Sequence, residues 1–312
     1  MKSNHVYNEL ILFLKEGDGM LFTKMHGLGN NYIFFNLLES TLKEAELSSL
    51  AIAVSDVQFG IGSDGMILIC PSEVADFRMR IFNKDGSEGK NCGNGLRCVA
   101  KYVYDQELVK STSFTIETLG GIVNIYVTPD EKNKVDGITV DMGEPKLSKG
   151  SLPMKGDSEL VTINEPFYIG GNKYHLTCVS MGNPHAILFV DDVDQFPLEE
   201  IGPLIEHSDL FPERVNFGIV SVNNSDEINY RVWERGSGVT MACGTGACAA
   251  VVAAVLNGKV EKDQSVRVHL PGGSLEICWG KNNHIRKNGP AEYSCRGDLD
   301  VESLLARISF TS

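Results

Sequence analysis

The chain has 312 residues, 42% hydrophobic and 22% charged, enough for about two packed domains and too apolar for a disordered chain. Its 28 basic against 41 acidic residues leave a net charge of −13, which excludes the electrostatic footprint of a nucleic-acid or anionic-membrane binder. No apolar run approaches the ~20 residues of a spanning helix, and Leu10–Leu14 is too short for a signal-peptide core, so a cytoplasmic location is expected.

Residues 1–19 share no pattern with the rest of the chain and are expected to be an N-terminal extension, disordered for want of docking contacts. From Met20 the run LFTKMHGLGNNYIFF has strand and loop character. Thr41 and Glu44 have capping-box spacing ahead of Leu47, Leu50, Ala51 and Val54, which predicts a helix opened by that box. Gly60-Ile-Gly-Ser-Asp-Gly65 matches the letters of a dinucleotide fingerprint, but the strand-like MILICPS comes next, where a helix is required. FRMRIF alternates as a strand, and Cys92-Gly-Asn-Gly95 leads into a helix over Leu96–Asp105. FTIETLGGIVNIYV alternates on both sides of Gly120-Gly121. Between residues 137 and 153 the alternation fades and Pro, Gly and Lys gather, which places a boundary there. EINYRVWE reads as a strand. Cys243-Gly-Thr-Gly246 then opens a helix over Ala247–Leu256, stopped by Gly258, and the strand SVRVHL comes after it. Gly244-Thr-Gly-Ala-Cys-Ala249 is a second near-match to the dinucleotide fingerprint. Its preceding strand ends too early, and the turn recurs elsewhere in the chain, both of which argue against a nucleotide.

That recurrence is the main result. FRMRIFNKDGSEGKNCGNGLRCVA at 77–100 and INYRVWERGSGVTMACGTGACAAV at 228–251 align without gaps, placing Arg80 on Arg231, Cys92 on Cys243, Gly93 on Gly244 and Gly95 on Gly246. Gly29-Asn30 answers Gly182-Asn183, Gly120-Gly121 answers Gly272-Gly273, and VQFGI at 57–61 more weakly echoes VNFGI at 215–219. An ordered series of landmarks predicts an α+β fold of two similar, pseudo-repeated domains. Each is a strand-rich sheet or barrel around a central helix, with the active site in the cleft between them. The expected divisions are 20–145 and 146–295, with 296–312 packing back on the N-terminal domain.

The eight cysteines include no CxxC pair and are too dilute for a disulfide scaffold, so no metal site is expected and most should be small buried hydrophobes. Cys92 and Cys243 differ because each precedes Gly-x-Gly at a helix start. Such a turn is either a cap with a buried thiol or a cradle for an anion and a thiolate; its duplication favours the cradle. Half-ionising one thiol at neutral pH needs about 2 kcal/mol, and a favourable helix terminus supplies up to ~2 kcal/mol. Two facing thiolates would repel, so the pair should hold one proton between them. One base and one acid on opposite faces of a carbon is what inversion by proton transfer requires.

MHGLGN, GIGSDG, NKDGSEGKNCGNGLRC, SMGNPH, ERVNFG and WERGSGVTMACGTGAC, in that order across residues 20–295, resemble the motif set of the diaminopimelate epimerase family. The resemblance implies cofactor-independent epimerisation of LL-diaminopimelate to the meso form, serving lysine and cell-wall precursor synthesis. Cys92 and Cys243 would be its catalytic thiols, supported by His185 and Glu234. The implied substrate contacts are Asn30, Asn83, Asn183, Asn216, Glu234 and Arg235, with the α-carboxylate on the backbone of Gly93, Asn94, Gly244 and Thr245. The implied partner is this small molecule, with no cofactor, no metal, no nucleic acid and no membrane; a homodimer is left open. Two positions depart from the pattern: Asn31 stands where Asp is common, and Gly65 where some members carry a substrate-touching Gln. The competing readings are a proline-type racemase with the same thiol pair and a nucleotide-binding module. The charged far end implied by Arg235 counts against the racemase, and the misplaced fingerprints count against the module.

Overall fold

Alternating sequence builds strands, and in the computed structural model, which describes residues 19–90 and 92–308, eighteen of them form one continuous sheet. Residues 1–18 of the expected N-terminal extension lie outside the described residues, as do residues 309–312. The first half runs β1 (Met20–Gly27), β2 (Asn30–Asn36), α1 (Leu47–Ser55), β3 (Gly65–Cys70), β4 (Phe77–Asn83), β5 (Glu88–Gly89), α2 (Gly93–Asp105), β6 (Ser113–Thr118), β7 (Gly121–Pro129) and β8 (Val135–Asp141). The second runs β9 (Glu165–Ile169), β10 (Asn172–Ser180), β11 (Pro184–Phe189), α3 (Leu198–Glu206), β12 (Asn216–Asn224), β13 (Glu227–Glu234), β14 (Gly238–Val239), α4 (Gly244–Leu256), β15 (Ser265–Leu270), β16 (Gly273–Trp279) and β17 (Ile285–Gly289). β18 (Glu292–Leu299) and α5 (Val301–Ile308) complete it.

Strand order shows the duplication directly. β8 pairs antiparallel with β17 at the centre. One arm runs outward through β7, β6, β4, β3, β2, β1 and β18; the other through β16, β15, β13, β12, β11, β10 and β9. The joins β4–β6 and β2–β3 are parallel in one arm, and β13–β15 and β11–β12 in the other. The order reads alike in both directions, as a pseudo-twofold centred on β8–β17 requires. One strand breaks the equivalence: β9 is the near neighbour of β10 in sequence, whereas β18 returns from the end of the second half to pair with β1.

Each arm curls around its own helix, α2 in the first and α4 in the second. The sequence of α4, GTGACAAVVAAVL, has no polar face, and Gly246–Ala254 are all buried, as befits a helix wrapped on every side. Helices α1 and α3 cover the outer faces, where Leu47, Leu50 and Val54 pack in one cluster and Leu198 and Ile205 in another. Leu304 of α5 joins the α1 cluster.

Two expectations fail locally. No side chain caps the start of α1; Glu44 instead lies in a 3-10 turn and grips Arg80 with both oxygens, each at 2.7 Å. A charge-assisted bidentate pair outcompetes a cap. The stretch read as losing alternation at residue 137 begins inside β8, where Val135, Ile138 and Val140 are buried. Gly137 disguised it.

Candidate active site

Cys92 and Cys243 are the N-cap residues of α2 and α4, both in extended backbone conformation. The helices start at Gly93 and Gly244, earlier than the apolar periodicity shows, because glycine carries no helical signal. Cys92 is half-buried. Its Sγ accepts a hydrogen bond from the Gly95 N–H at 3.3 Å and lies 3.4 Å from Tyr32 Oη and 3.8 Å from Asn30 Oδ1. Asn94 Nδ2 donates to the same Asn30 oxygen at 3.2 Å. The Asn30 amide donates to Asp64 Oδ2 at 2.9 Å, and that oxygen also accepts the Asn31 backbone N–H at 2.8 Å. Asp64 thereby fixes the turn that presents Asn30 to the thiol, and Asn31, despite its departure from the pattern, is held by it too.

The second half repeats the arrangement with different groups. Cys243 is 5% exposed, and its Sγ lies 3.6 Å from Thr245 Oγ1. His185 Nε2 lies 3.1 Å from that hydroxyl and 3.1 Å from Asn183 Oδ1. His185 follows Asn183 by two positions, as Tyr32 follows Asn30, so the duplication sets a phenol beside one cysteine group and an imidazole beside the other. Burial, helped by the charge of Arg235, pushes His185 down to about 3 and keeps the ring neutral.

Glu234 accepts a hydrogen bond from Thr240 Oγ1 at 2.5 Å and interacts with the Cys243 thiol. Burial raises the Glu234 carboxyl. It raises the Cys243 thiol well above the ordinary thiol range, with the Glu234 charge adding to it against the opposing Thr245 hydroxyl and Gly246 N–H. Desolvation outweighs the helix start here, contrary to the local sequence argument, and Cys243 rests as a thiol. The unequal exposure of the two sulfurs sets a labelling order. Apart from exposed Cys295, iodoacetamide should modify Cys92 before Cys243. Timed peptide mass mapping in which Cys243 reacts first would contradict this ordering.

The structure brings most of the sequence-derived residues into these two clusters. Asn216 is buried, donating to Pro184 O at 2.9 Å and accepting the Arg235 N–H at 3.0 Å, which steadies the Glu234–Arg235 turn. The exposed Arg235 guanidinium donates to Glu213 O at 2.9 Å. Asn83 is not drawn in: it is exposed at the end of β4 and donates to Ser87 Oγ at 3.0 Å. Strand register overturns the weaker 57–61/215–219 echo: residues 57–61 form a turn, and Gly65, which opens β3 as Asn216 opens β12, is the counterpart of Asn216. Gly65 contributes no side chain, and a Cβ there would fall 2.2 Å from Phe82 O. This backbone excludes a glutamine at that position.

The helix starts meet where the halves join. A Cβ on Gly93 would lie 2.2 Å from Lys287 Nζ, and one on Gly244 2.8 Å from the same atom. Leu28, at the tip of the β1–β2 turn, is buried in the core of the second half. Buried polar atoms without a partner among the described residues collect here: Asn94 Oδ1, His185 Nδ1, Arg97 Nη2, Tyr230 Oη and Lys287 Nζ. Native structures rarely strand such atoms without a reason, which singles out this junction as a place suited to meet polar groups. Tyr32, Asp64, Tyr230, Arg97 and Lys287 escaped the sequence reading. Tyr32 is legible as the counterpart of His185, and Asp64 and Arg97 lie inside the GIGSDG and CGNGLRC motifs.

Comparison with known proteins places this geometry. The family described as Diaminopimelate epimerase matches residues 22–148 and 177–294. The chain is 56% identical over 276 residues to proteins named diaminopimelate epimerase from Bacillus cereus (strain ATCC 10987 / NRS 248) and Bacillus anthracis (strain CDC 684 / NRRL 3495), covering 88% of this chain and 96% of each relative. Among solved structures it resembles a phenazine biosynthesis protein of the PhzF family from Bacillus anthracis (TM-score 0.66, 17% identity, 91% of this chain and 99% of that one). It also resembles a hydroxyproline epimerase from Agrobacterium vitis with bound trans-4-hydroxy-L-proline (TM-score 0.65, 14% identity, 90% of this chain and 92% of that one). At these identities the solved structures establish the shared fold alone.

Proposed function

The chain belongs to the diaminopimelate epimerase family, and from that premise we propose that it interconverts LL- and meso-2,6-diaminopimelate by passing protons through Cys92 and Cys243. It is an isomerase serving lysine and cell-wall precursor synthesis. The observation that supports the two-thiol reading best is the pair of N-cap cysteines, contributed by equivalent positions of the two halves and converging on one cluster of unpartnered polar atoms.

The roles follow from the geometry. The first-turn N–H groups of Gly93, Asn94, Gly244 and Thr245 are unsatisfied within their helices and hold the α-carboxylate, stabilising negative charge as the α-proton leaves. One sulfur takes that proton as a thiolate while the thiol on the opposite face delivers its own; reversal exchanges the roles. Proton removal and return changes no oxidation state, so the reading calls for no cofactor. Glu234, against the Cys243 thiol, accepts or returns its proton between turnovers, and neutral His185 orients Thr245 beside that sulfur. Asn30 and Asn183 line the amino-acid end, Asn216 holds the Glu234–Arg235 turn in place, and Arg235 pairs with the distal carboxylate. Asn83 reaches the substrate only if it leaves Ser87. The charged far end required by Arg235 argues against a proline-type substrate. Among the described residues no helix is long and apolar enough to cross a membrane, and the proposed site of action is the cytoplasm.

Incubation with LL-diaminopimelate in deuterium oxide tests the reading. It should yield the meso isomer with deuterium at the inverted carbon. No inversion of diaminopimelate, or turnover of proline instead, would overturn it.

A further inference from the structure

Lys287 is wholly buried on β17, opposite Val140 of β8, on the seam about which the halves repeat. Its amine occupies the space that side chains at Gly93 and Gly244 would need, so it lies against the residue following each cysteine. No described residue accepts a hydrogen bond from it. Arg97, one turn along α2, is equally buried; it donates to Pro290 O at 2.9 Å and Gly93 O at 3.4 Å, but its Nη2 is also without a partner among the described residues. Two cations therefore stand beside the positive ends of two helix dipoles, and no carboxylate among the described residues faces the amine. The titratable groups that do face it are Arg97 and the thiols of Cys92, Cys243 and Cys248. Buried charge in this state is costly until an anion joins it.

We infer that Lys287 is a positioning residue for epimerisation: its charge, lodged between Gly93 and Gly244, draws the substrate's α-carboxylate into the first turns of α2 and α4. The inference rests on the epimerase reading and adds a group to it. Burial and the neighbouring Arg97 push Lys287 down to about 8. Its charge is therefore present at neutral pH and is lost as the pH rises through that value.

The test compares Lys287→Met, which keeps length and removes charge, with the wild-type protein. The KM for LL-diaminopimelate should rise by about tenfold or more at neutral pH, with kcat changed much less. The wild-type KM should climb above about pH 8, while the variant's loses that climb. A role in packing alone would lower kcat or Tm and leave the pH dependence of KM in place, which overturns the inference. If Lys287→Met does not fold, the wild-type profile decides: a KM that stays flat through pH 8 overturns the inference, and a climb supports it. Wild-type protein inert toward diaminopimelate would overturn the epimerase reading instead.

Discussion

Cys92→Ser and Cys243→Ser should each lose at least ~10²-fold in epimerisation while remaining folded, since a positioned acid or base contributes about 10²–10⁴-fold. Serine is nearly isosteric with cysteine but far less acidic, so the capping geometry of α2 and α4 survives and proton transfer does not. The two losses have different origins. At Cys92 the variant loses the more accessible sulfur and its contacts with Tyr32 and Asn30. At Cys243 it loses a thiol that burial keeps protonated and that Glu234 adjoins. Cys98→Ser and Cys248→Ser serve as controls, because both residues are fully buried between one and two turns further along and act through packing. The measurement is a stereochemical assay on protein verified by mass and circular dichroism. A folded Cys243→Ser with near wild-type turnover would end the two-thiol mechanism.

Glu206→Ala should cost about 3 kcal/mol of stability and raise KM more than it lowers kcat. Glu206 is 3% exposed; its Oε2 accepts the Trp233 indole N–H at 2.7 Å, its Oε1 accepts the Gly236 N–H at 3.0 Å, and Arg214 Nη1 stands 3.6 Å away. These bonds tie down both ends of the turn that carries Glu234 and Arg235. Alanine leaves the half-buried Trp233 indole N–H and the Gly236 N–H without their acceptor, removes the partner of Arg214, and frees the residue proposed to read the distal carboxylate. Thermal melting and steady-state kinetics together check it. An unchanged Tm with unchanged KM would show that the turn holds its shape without Glu206.

The duplicated fold was legible because its landmarks are local. Cys-Gly-x-Gly recurs at one spacing, and α4 is apolar on every side. Element edges were less legible, since Gly93, Gly244 and Gly137 carry no periodic signal and Glu44 spends its carboxylate on Arg80 rather than on a cap. The cysteines, Asn30, Asn183 and His185 could be read from motifs, and the structure gathers each near a thiol. Lys287 could not. In IRKNGP it looks like a charged strand residue beside a turn, and only the pairing of β17 with β8, with a helix start on either side, turns that position inward. Glu206 likewise sits at the end of an amphipathic helix, where a glutamate is ordinarily solvated; its role depends on β13 lying underneath.

The return of β18 to β1 sets the order in which the molecule can be completed during synthesis. The second half owns its outer strand, for β9 and β10 are joined by a tight hairpin. The first half must wait. Met20 pairs with Leu299, and Arg97 donates to Pro290 O, 193 positions further along the chain. Until those residues emerge from the ribosome, β1 presents an unpaired edge and α2 a guanidinium without its carbonyl. Domains are generally finished in the order they are translated. Here the half made first is closed last, by a strand delivered from its twin. The nascent chain therefore carries an open, strand-templating edge for most of its elongation.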